Sequence, residues 1–192
     1  MIKVYLANRP PLAEYHNTTV INHLPVGEIK RIATEAGNHW RKIFNVYAKF
    51  VYCLAEKTGN PLLKQYASWQ DYRDQSLLQQ GSETELHIDT HLIDSSATTL
   101  GLNIPSDGNS AVHIIMGKAF SERLLANVSR ECVQVNWLDN DFAINRSLNI
   151  IVCPYFDYRQ LSNIKIERLA KLVVLLQDGN RAANFNHAEE LM

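Results

Sequence analysis

Short apolar runs that alternate with helical segments are the feature that most limits how this chain can fold. The runs are rich in β-branched residues and are bounded by turn residues, which is typical of strands. They occupy residues 1–6, 111–116, 133–137 and 148–153. Helical periodicity follows the second run at residues 119–127 and the last run at residues 164–177. Strands separated by helices favour an α/β fold with a largely parallel central sheet and helices on both faces.

The segment from residue 28 to residue 80 has helical periodicity and is divided by glycines. We expect Asn38 to cap a helix whose apolar face includes Trp40 and Phe44, and Gly59 to end it. Asn60 and Pro61 then have the types preferred at an N-cap and a first helical turn. The sequence therefore predicts three helices here, the last of them ending near residue 81.

Residues 83–98 carry two competing signals. Ser82 followed by Glu85 is a capping box, which favours a helix over this segment. Alternation of Ile88, Thr90 and Leu92 with polar neighbours favours a strand instead. We predict the helix because the cap is present. Further on, residues 138–146 are polar and predict either a hairpin-like turn or a short crossover.

Length and composition predict one domain in a reducing compartment. The chain has 192 residues, of which 46% are hydrophobic and 20% charged, and this suits a single core. We assign residues 1–179 to an α/β domain, with Gly179 ending its last helix, and residues 180–192 to a polar tail. The three cysteines form no C-x-x-C pair, and neither a signal peptide nor an apolar run of about 18 residues is visible. We expect a cytoplasmic protein without a membrane partner.

The formal net charge of −1 excludes a global positive field that would attract nucleic acid. Any contact with DNA must then come from a local patch. The densest set of possible metal ligands is His87, Asp89, His91 and Asp94. Their spacing could hold zinc in a metal-dependent hydrolase, but no distant further ligand is evident, so a solvated polar face is the preferred interpretation and no metal or cofactor is expected.

Gly117 and Lys118 follow a predicted strand and open a helix. The pair lacks the remaining residues of a phosphate loop. The helix N-terminus there could still accept an anion through its free amides, and the alternative is that Gly117 only permits a tight turn.

The chain after the last strand contains Cys153 and Pro154, followed by an aromatic and basic segment. Cys153 is interpreted as a buried, inert thiol rather than a nucleophile. Tyr155, Phe156, Tyr158 and Arg159 can stack on bases and hold phosphate, or they can pack against the sheet.

Taken in order, four segments resemble the uracil-DNA glycosylase superfamily, and most closely its mismatch-specific branch. Leu6-Ala7-Asn8-Arg9-Pro10 resembles the glycine-hydrophobic-Asn-Pro-Gly loop of that branch, and Asn38-His39-Trp40-Arg41-Lys42-Ile43 resembles the Asn-Arg-Phe-Trp segment that follows it. VHIIMGKAF, from residue 112 to residue 120, is similar to the strand-Gly-Lys-x-Ala turn, and IIVCPYFDYRQLSNIKIERLAKLV is similar to the last strand, its loop and the closing helix.

The resemblance implies a three-layer α/β/α domain with its site at the strand ends and with DNA or a nucleotide as partner. It implies that Asn8 positions water, and that Arg9, Gly117, Lys118, Cys153, Pro154, Tyr155, Tyr158 and Arg159 bind base or phosphate. Arg9 interrupts the Asn-Pro pair of the first loop, and Cys153-Pro154-Tyr155 stands where the family has His-Pro-Ser or Asn-Pro-Ser. These departures leave an active glycosylase, a binding protein without activity and a non-catalytic interaction protein as open alternatives.

Overall fold

The computed structural model of the protein describes residues 1–88, 111–126 and 134–189. The strands in these residues are β1 (Ile2–Leu6), β2 (Val20–Ile21), β3 (Thr84–Ile88), β4 (Val112–Met116), β5 (Asn136–Trp137), β6 (Ala143–Asn145) and β7 (Ile150–Cys153). The helices are α1 (Glu28–Glu35), α2 (Asn38–Thr58), α3 (Leu62–Gln65), α4 (Trp69–Gln75), α5 (Lys118–Ala126) and α6 (Asn163–Glu189), and a 3-10 turn covers Ala13–Tyr15.

All seven strands join one sheet in the order β2-β3-β1-β4-β7-β6-β5. The four central strands, β3, β1, β4 and β7, are parallel to one another. The edge strands β2, β5 and β6 pair antiparallel. The prediction of an α/β fold is therefore confirmed, with a parallel centre and antiparallel edges.

The two faces of the sheet are covered by different helices. Ile2, Val4 and Leu6 of β1 belong to the larger core, together with the buried side chains of α1, α2, α4 and α6. Tyr5 belongs to a smaller core on the opposite face, with Phe120 and other side chains of α5. Because neighbouring residues of a strand point to opposite faces, helices lie on both sides of the sheet.

Helix α2 is the central helix of the larger core. Trp40, Phe44 and Tyr47 are buried along it, and the Tyr47 hydroxyl donates to the carbonyl oxygens of Ile2 and Glu85, at 3.2 and 3.0 Å. The predicted apolar face and the end at Gly59 (φ +64°) are confirmed.

The predicted cap of α2 is wrong. Gly37 occupies the N-cap position and Asn38 is already helical. The Oδ1 atom of Asn38 accepts hydrogen bonds from the Arg41 guanidinium, at 3.2 and 2.7 Å from Nε and Nη2. The Asn38 oxygen that would cap the helix therefore accepts hydrogen bonds from Arg41, one turn further along the helix.

The predicted helix at residues 83–98 is also wrong where it can be compared. Thr84–Ile88 form β3, which pairs with the whole of β1, while residues 89–98 lie outside the described residues. The Ser82 hydroxyl lies 2.7 Å from that of Thr84, and Glu85 contacts Lys3 of β1. Pairing with a central strand and burial of Leu86 and Ile88 outweigh the local cap signal.

Three smaller expectations are revised or confirmed. The third helix predicted in residues 28–80 is two helices, α3 and α4, because the Ser68 hydroxyl accepts a bond from the amide of Asp71 and starts a new helix. The predicted end of the last helix at Gly179 is wrong, because helix α6 continues to Glu189 through most of the segment assigned to a polar tail. The segment between β5 and β7 contains β6, which pairs antiparallel with both, and a hairpin is confirmed.

No described helix combines the length and the apolar character needed to cross a bilayer.

Candidate functional site

The carboxyl ends of β1 and β4 flank the point where the chain changes direction across the sheet. From β1 the next parallel strand is β3, on one side, whereas from β4 the next is β7, on the other. In open α/β sheets, ligands bind in the crevice outside the strand ends at such a switch point. Asn8 follows β1 and Gly117 follows β4, so both predicted site residues lie at this crevice.

Asn8, His39 and Tyr155 come together at this edge. Nε2 of His39, in the first turn of α2, lies 3.0 Å from the Tyr155 hydroxyl. The two rings are stacked, with centroids 5.4 Å apart and planes 23° apart. Burial raises the pKa of Tyr155 to about 12, and a hydrogen bond from the Asn8 side chain opposes that rise. Tyr155 therefore keeps its hydroxyl proton at neutral pH and remains a hydrogen-bond donor.

The role of His39 is not predicted from the sequence. In the sequence, His39 belongs to the segment from Asn38 to Ile43 that resembles the glycosylase family, and no role in the site follows from that resemblance. One feature of the sequence indicates that His39 is near a loop, because a helix that starts after Gly37 (φ +84°) has the side chains of its first turn next to the preceding loop. Nothing in the sequence, however, brings that turn to Tyr155.

Gly117 forms the turn between β4 and α5. Its φ of +89° is one that residues with a side chain rarely adopt, and its amide donates to the Cys153 carbonyl at 2.8 Å. The ammonium group of Lys118 lies 4.8 Å from the centroid of the Trp137 ring on β5, three strands beyond β4. Gly117 is therefore part of the crevice, and the Lys118 amine contacts an aromatic ring away from Asn8.

Cys153 is not exposed to the crevice. Its side chain belongs to the larger core and is 1% exposed, and burial raises the pKa of the thiol far above its usual range. The thiolate needed for nucleophilic attack is thus disfavoured. Pro154, half-buried, connects this strand end to Tyr155.

An ion pair organises the loop after Tyr155. Lys42 lies 2.7 Å from Asp157, with both side chains less than one-fifth exposed, and the amide of Arg159 donates to Asp157 at 3.0 Å. Tyr158 is 56% exposed, and its ring lies 4.9 Å from the Lys42 ammonium group. Tyr158 and Arg159 are thus exposed on a fixed loop beside the crevice, whereas Arg9, on the first loop, is half-buried.

A second set of polar groups lies on the sheet face that carries α5. The Tyr5 hydroxyl is 2.8 Å from Nδ1 of His113, and the Tyr5 ring stacks on His87 with centroids 4.7 Å apart. Nε2 of His87 lies 2.8 Å from Glu85, which is 3.5 Å from Lys3. Burial lowers the pKa of both histidines, that of His113 to about 4. The sequence carried a signal for part of this set, since polar residues alternate with apolar ones in β1 and β3. His113 is the one polar residue of β4.

Of the four possible metal ligands named from the sequence, His87 alone lies in the part of the chain that the structure describes. His87 pairs with Glu85 on the same strand, and Asp89, His91 and Asp94 lie outside the described residues. Among the residues that the structure describes, no three His, Cys, Asp or Glu side chains are placed to hold a metal ion.

Fold and site together define an open α/β protein with a polar and aromatic crevice at its switch point. A model of a family of unknown function (DUF6942) matches residues 1–174, and the chain belongs to that family. No curated protein and no solved structure matches the chain.

Proposed function

We propose that the protein binds a nucleobase, carried by DNA or by a nucleotide, in the crevice formed by Asn8, His39 and Tyr155. The observation that supports this proposal most directly is the contact of His39 with Tyr155, at 3.0 Å between Nε2 and the hydroxyl, because the two residues lie far apart in the sequence. Against the rise caused by burial, Asn8 also lowers the pKa of Tyr155. The loops of Asn8 and Tyr155 are the two at which the resemblance to uracil-DNA glycosylases implies a base site.

The chemistry of the three side chains suits a base. The Asn8 amide has both donors and an acceptor, which match the polar edge of a nucleobase. The aromatic ring of Tyr155 and the imidazole of His39 provide faces on which a base can stack. Arg159, exposed on the adjacent loop, supplies a positive charge for a neighbouring phosphate.

Base excision would make larger demands on the same groups. Asn8 would have to position a water at the sugar, and the departing base would need a hydrogen-bond donor where Cys153 offers none. The Tyr155 hydroxyl, protonated at neutral pH, is the donor nearest to that role. We therefore propose base binding as the function and treat excision as a separate question for experiment.

Binding is tested with labelled single-stranded DNA and with duplexes that carry one uracil mismatch, at low and at moderate salt. Tyr155→Ala removes the stacking face and should weaken binding by about tenfold, since stacking of one base on an aromatic ring contributes about 1–3 kcal/mol. Arg159→Ala should weaken binding less and reduce its salt dependence. Arg146→Ala is the matched control. Arg146 is exposed and precedes the amino end of β7, whereas the crevice lies at the carboxyl ends of the parallel strands.

The outcomes separate the alternatives left open by the sequence. Binding that needs Tyr155, with uracil released from the mismatched duplex, supports a glycosylase. The same binding without release supports a base-binding protein that lacks activity. Absence of binding at low salt, or equal binding by wild type and Tyr155→Ala, refutes the proposal and favours a non-catalytic interaction protein.

A further inference from the structure

A second cleft lies on the other side of the first turn of α2. It has a volume of about 420 Å³ and is bounded by α1, the start of α2 and α4. Ile29, Ala33 and Phe44 line it with apolar groups. Its polar lining consists of Lys30, Asn38, Arg41, Asn45, Arg73 and Asp74, with Thr34. We call it the α1–α4 cleft.

The hydrogen bonds of its arginines determine how both asparagine amides are oriented. A guanidinium only donates, so the amide atom that faces it must be the oxygen. Arg41 bonds Oδ1 of Asn38 and Arg73 bonds Oδ1 of Asn45. Each asparagine is therefore left with its NH2 group as the free end. Two amide donors thus accompany the ammonium and guanidinium groups in the same cleft.

The charge of the cleft is positive in a chain whose formal net charge is −1. Three cations and one carboxylate line it. The carboxylate, Asp74, is bound by Nε and Nη2 of Arg73 at 2.7 and 2.9 Å. In the described part of the chain no carboxylate forms a salt bridge with Lys30 or Arg41. Lys30 and Arg41 are therefore two positive charges that no carboxylate among the described residues neutralises.

A lining of donors and uncompensated cations selects an oxyanion over a cation or a neutral ligand. The start of α2 also favours an anion, because the amino end of a helix carries a partial positive charge. The first turn of α2 has no acidic residue and no side-chain cap. The cleft is adjacent to the base site, since Asn38 lines the cleft and the next residue, His39, contacts Tyr155.

We propose that the α1–α4 cleft binds phosphoryl groups attached to the nucleobase ligand, with Lys30 and Arg41 as the principal contacts. The identity of the ligand rests on the proposed function, whereas its phosphoryl class rests on the cleft alone. The phosphates belong either to a nucleic-acid backbone or to a free nucleotide, and the two sources share the chemistry that the cleft recognises.

The test uses a labelled strand of about 12 deoxyribose-phosphate units without bases. This length lies within the usual site sizes of proteins that bind single strands. Lys30→Gln/Arg41→Gln removes both positive charges at exposed positions. We expect this double variant to bind the baseless strand at least about tenfold more weakly. The slope of log affinity against log salt should fall in magnitude by about 2.

Lys57→Gln/Arg146→Gln is the control, because it removes the same charge from exposed positions at the far end of α2 and before the amino end of β7. It should bind like the wild type. Circular dichroism and urea unfolding should show both double variants folded, as expected for exposed positions.

Competition identifies the source of the phosphate. Displacement of the baseless strand by a mononucleotide or pyrophosphate at similar concentration assigns the cleft to free phosphate esters. Displacement only by a longer strand assigns it to a nucleic-acid backbone. Both results support the phosphoryl class.

Failure of the cleft and failure of the base site give different results. The cleft proposal is overturned if wild type does not bind the baseless strand, or if Lys30→Gln/Arg41→Gln binds it as tightly. The base proposal fails separately, if strands with and without bases bind equally and Tyr155→Ala changes neither. That second result leaves the effect of Lys30 and Arg41 intact.

Discussion

Replacement of His113 by glutamine should flatten the acid side of the stability profile. His113 is 2% exposed, and its Nδ1 lies 2.8 Å from the Tyr5 hydroxyl. Burial, assisted by Lys3 and His87, lowers the pKa of His113 from 6.5 to about 4. The imidazole is therefore neutral in the folded protein at pH 7. With its proton on Nε2 it accepts the hydroxyl hydrogen of Tyr5, and a glutamine oxygen can do the same.

The sign of the effect follows from the two pKa values. Above pH 6.5 the imidazole is neutral in both states and its titration contributes nothing to the pH dependence. Between pH 6.5 and 4 the unfolded chain binds a proton that the folded chain excludes, so the folded state loses stability as pH falls. A shift from 6.5 to about 4 corresponds to a loss of about 3 kcal/mol at pH 4, since one pKa unit is about 1.4 kcal/mol.

Urea unfolding of wild type and His113→Gln at several pH values between 7 and 4 measures this term. Groups that do not interact with His113 titrate alike in both proteins and cancel in the difference. We expect wild type to lose about 3 kcal/mol more than the variant. His16→Gln, at an exposed position, is the control and should follow wild type. Equal losses in wild type and His113→Gln would show that His113 is protonated in the folded state and would refute the reasoning.

Three further substitutions test the fold around the site. Gly117→Ala should lower the free energy of unfolding by about 1–2 kcal/mol, because Gly117 has φ +89° with open space around it; an unchanged urea midpoint would contradict this. Tyr47→Phe removes a hydroxyl that bonds carbonyls of β1 and β3 and should cost about 1 kcal/mol in the same assay, whereas no loss would mean that water replaces it. Lys42→Met should raise the pKa of Asp157, because the Lys42 ammonium group lowers that pKa in the wild type. Carbon-13 NMR titration of the carboxyl group measures this pKa, and equal values in wild type and variant would show that the ion pair is not formed.

Local pattern was sufficient for the parts of the fold whose periodicity agrees with their surroundings. Strand β1 was predicted from the alternation of apolar residues with their neighbours, and strands β4 and β7 from continuous apolar runs, which are typical of buried parallel strands. The apolar face of α2 was predicted because its apolar residues repeat at helical spacing. The failure at β3 has the opposite cause. Ser82 and Glu85 have the types of a helix start, but their partners, Thr84 and Lys3, are those of a strand paired with β1.

The candidate site could be predicted only in part, for a similar reason. The resemblance selects Asn8, the turn after a predicted strand selects Gly117, and the aromatic and basic segment after the last strand selects Tyr155. The parallel strands place these three loops at the same edge of the sheet. The partner of Tyr155 could not be obtained in this way, because His39 reaches it through the packing angle of α2 on the sheet. The contact of Lys118 with Trp137 could not be predicted for the same reason, since it depends on where β5 adds to the far edge.

The order of the central strands explains why a glycine belongs at the middle of the crevice. Asn8 and Tyr155 follow β1 and β7, and β4 lies between these two strands, so their backbones are separated by roughly two strand spacings of about 4.8 Å each. Gly117 ends the intervening strand, and a Cβ there would meet no atom within 4 Å. Its φ of +89° turns the chain into α5 between the two loops that carry Asn8 and Tyr155. This arrangement exists only once β1, β4 and β7 have paired, because the three segments are remote in sequence.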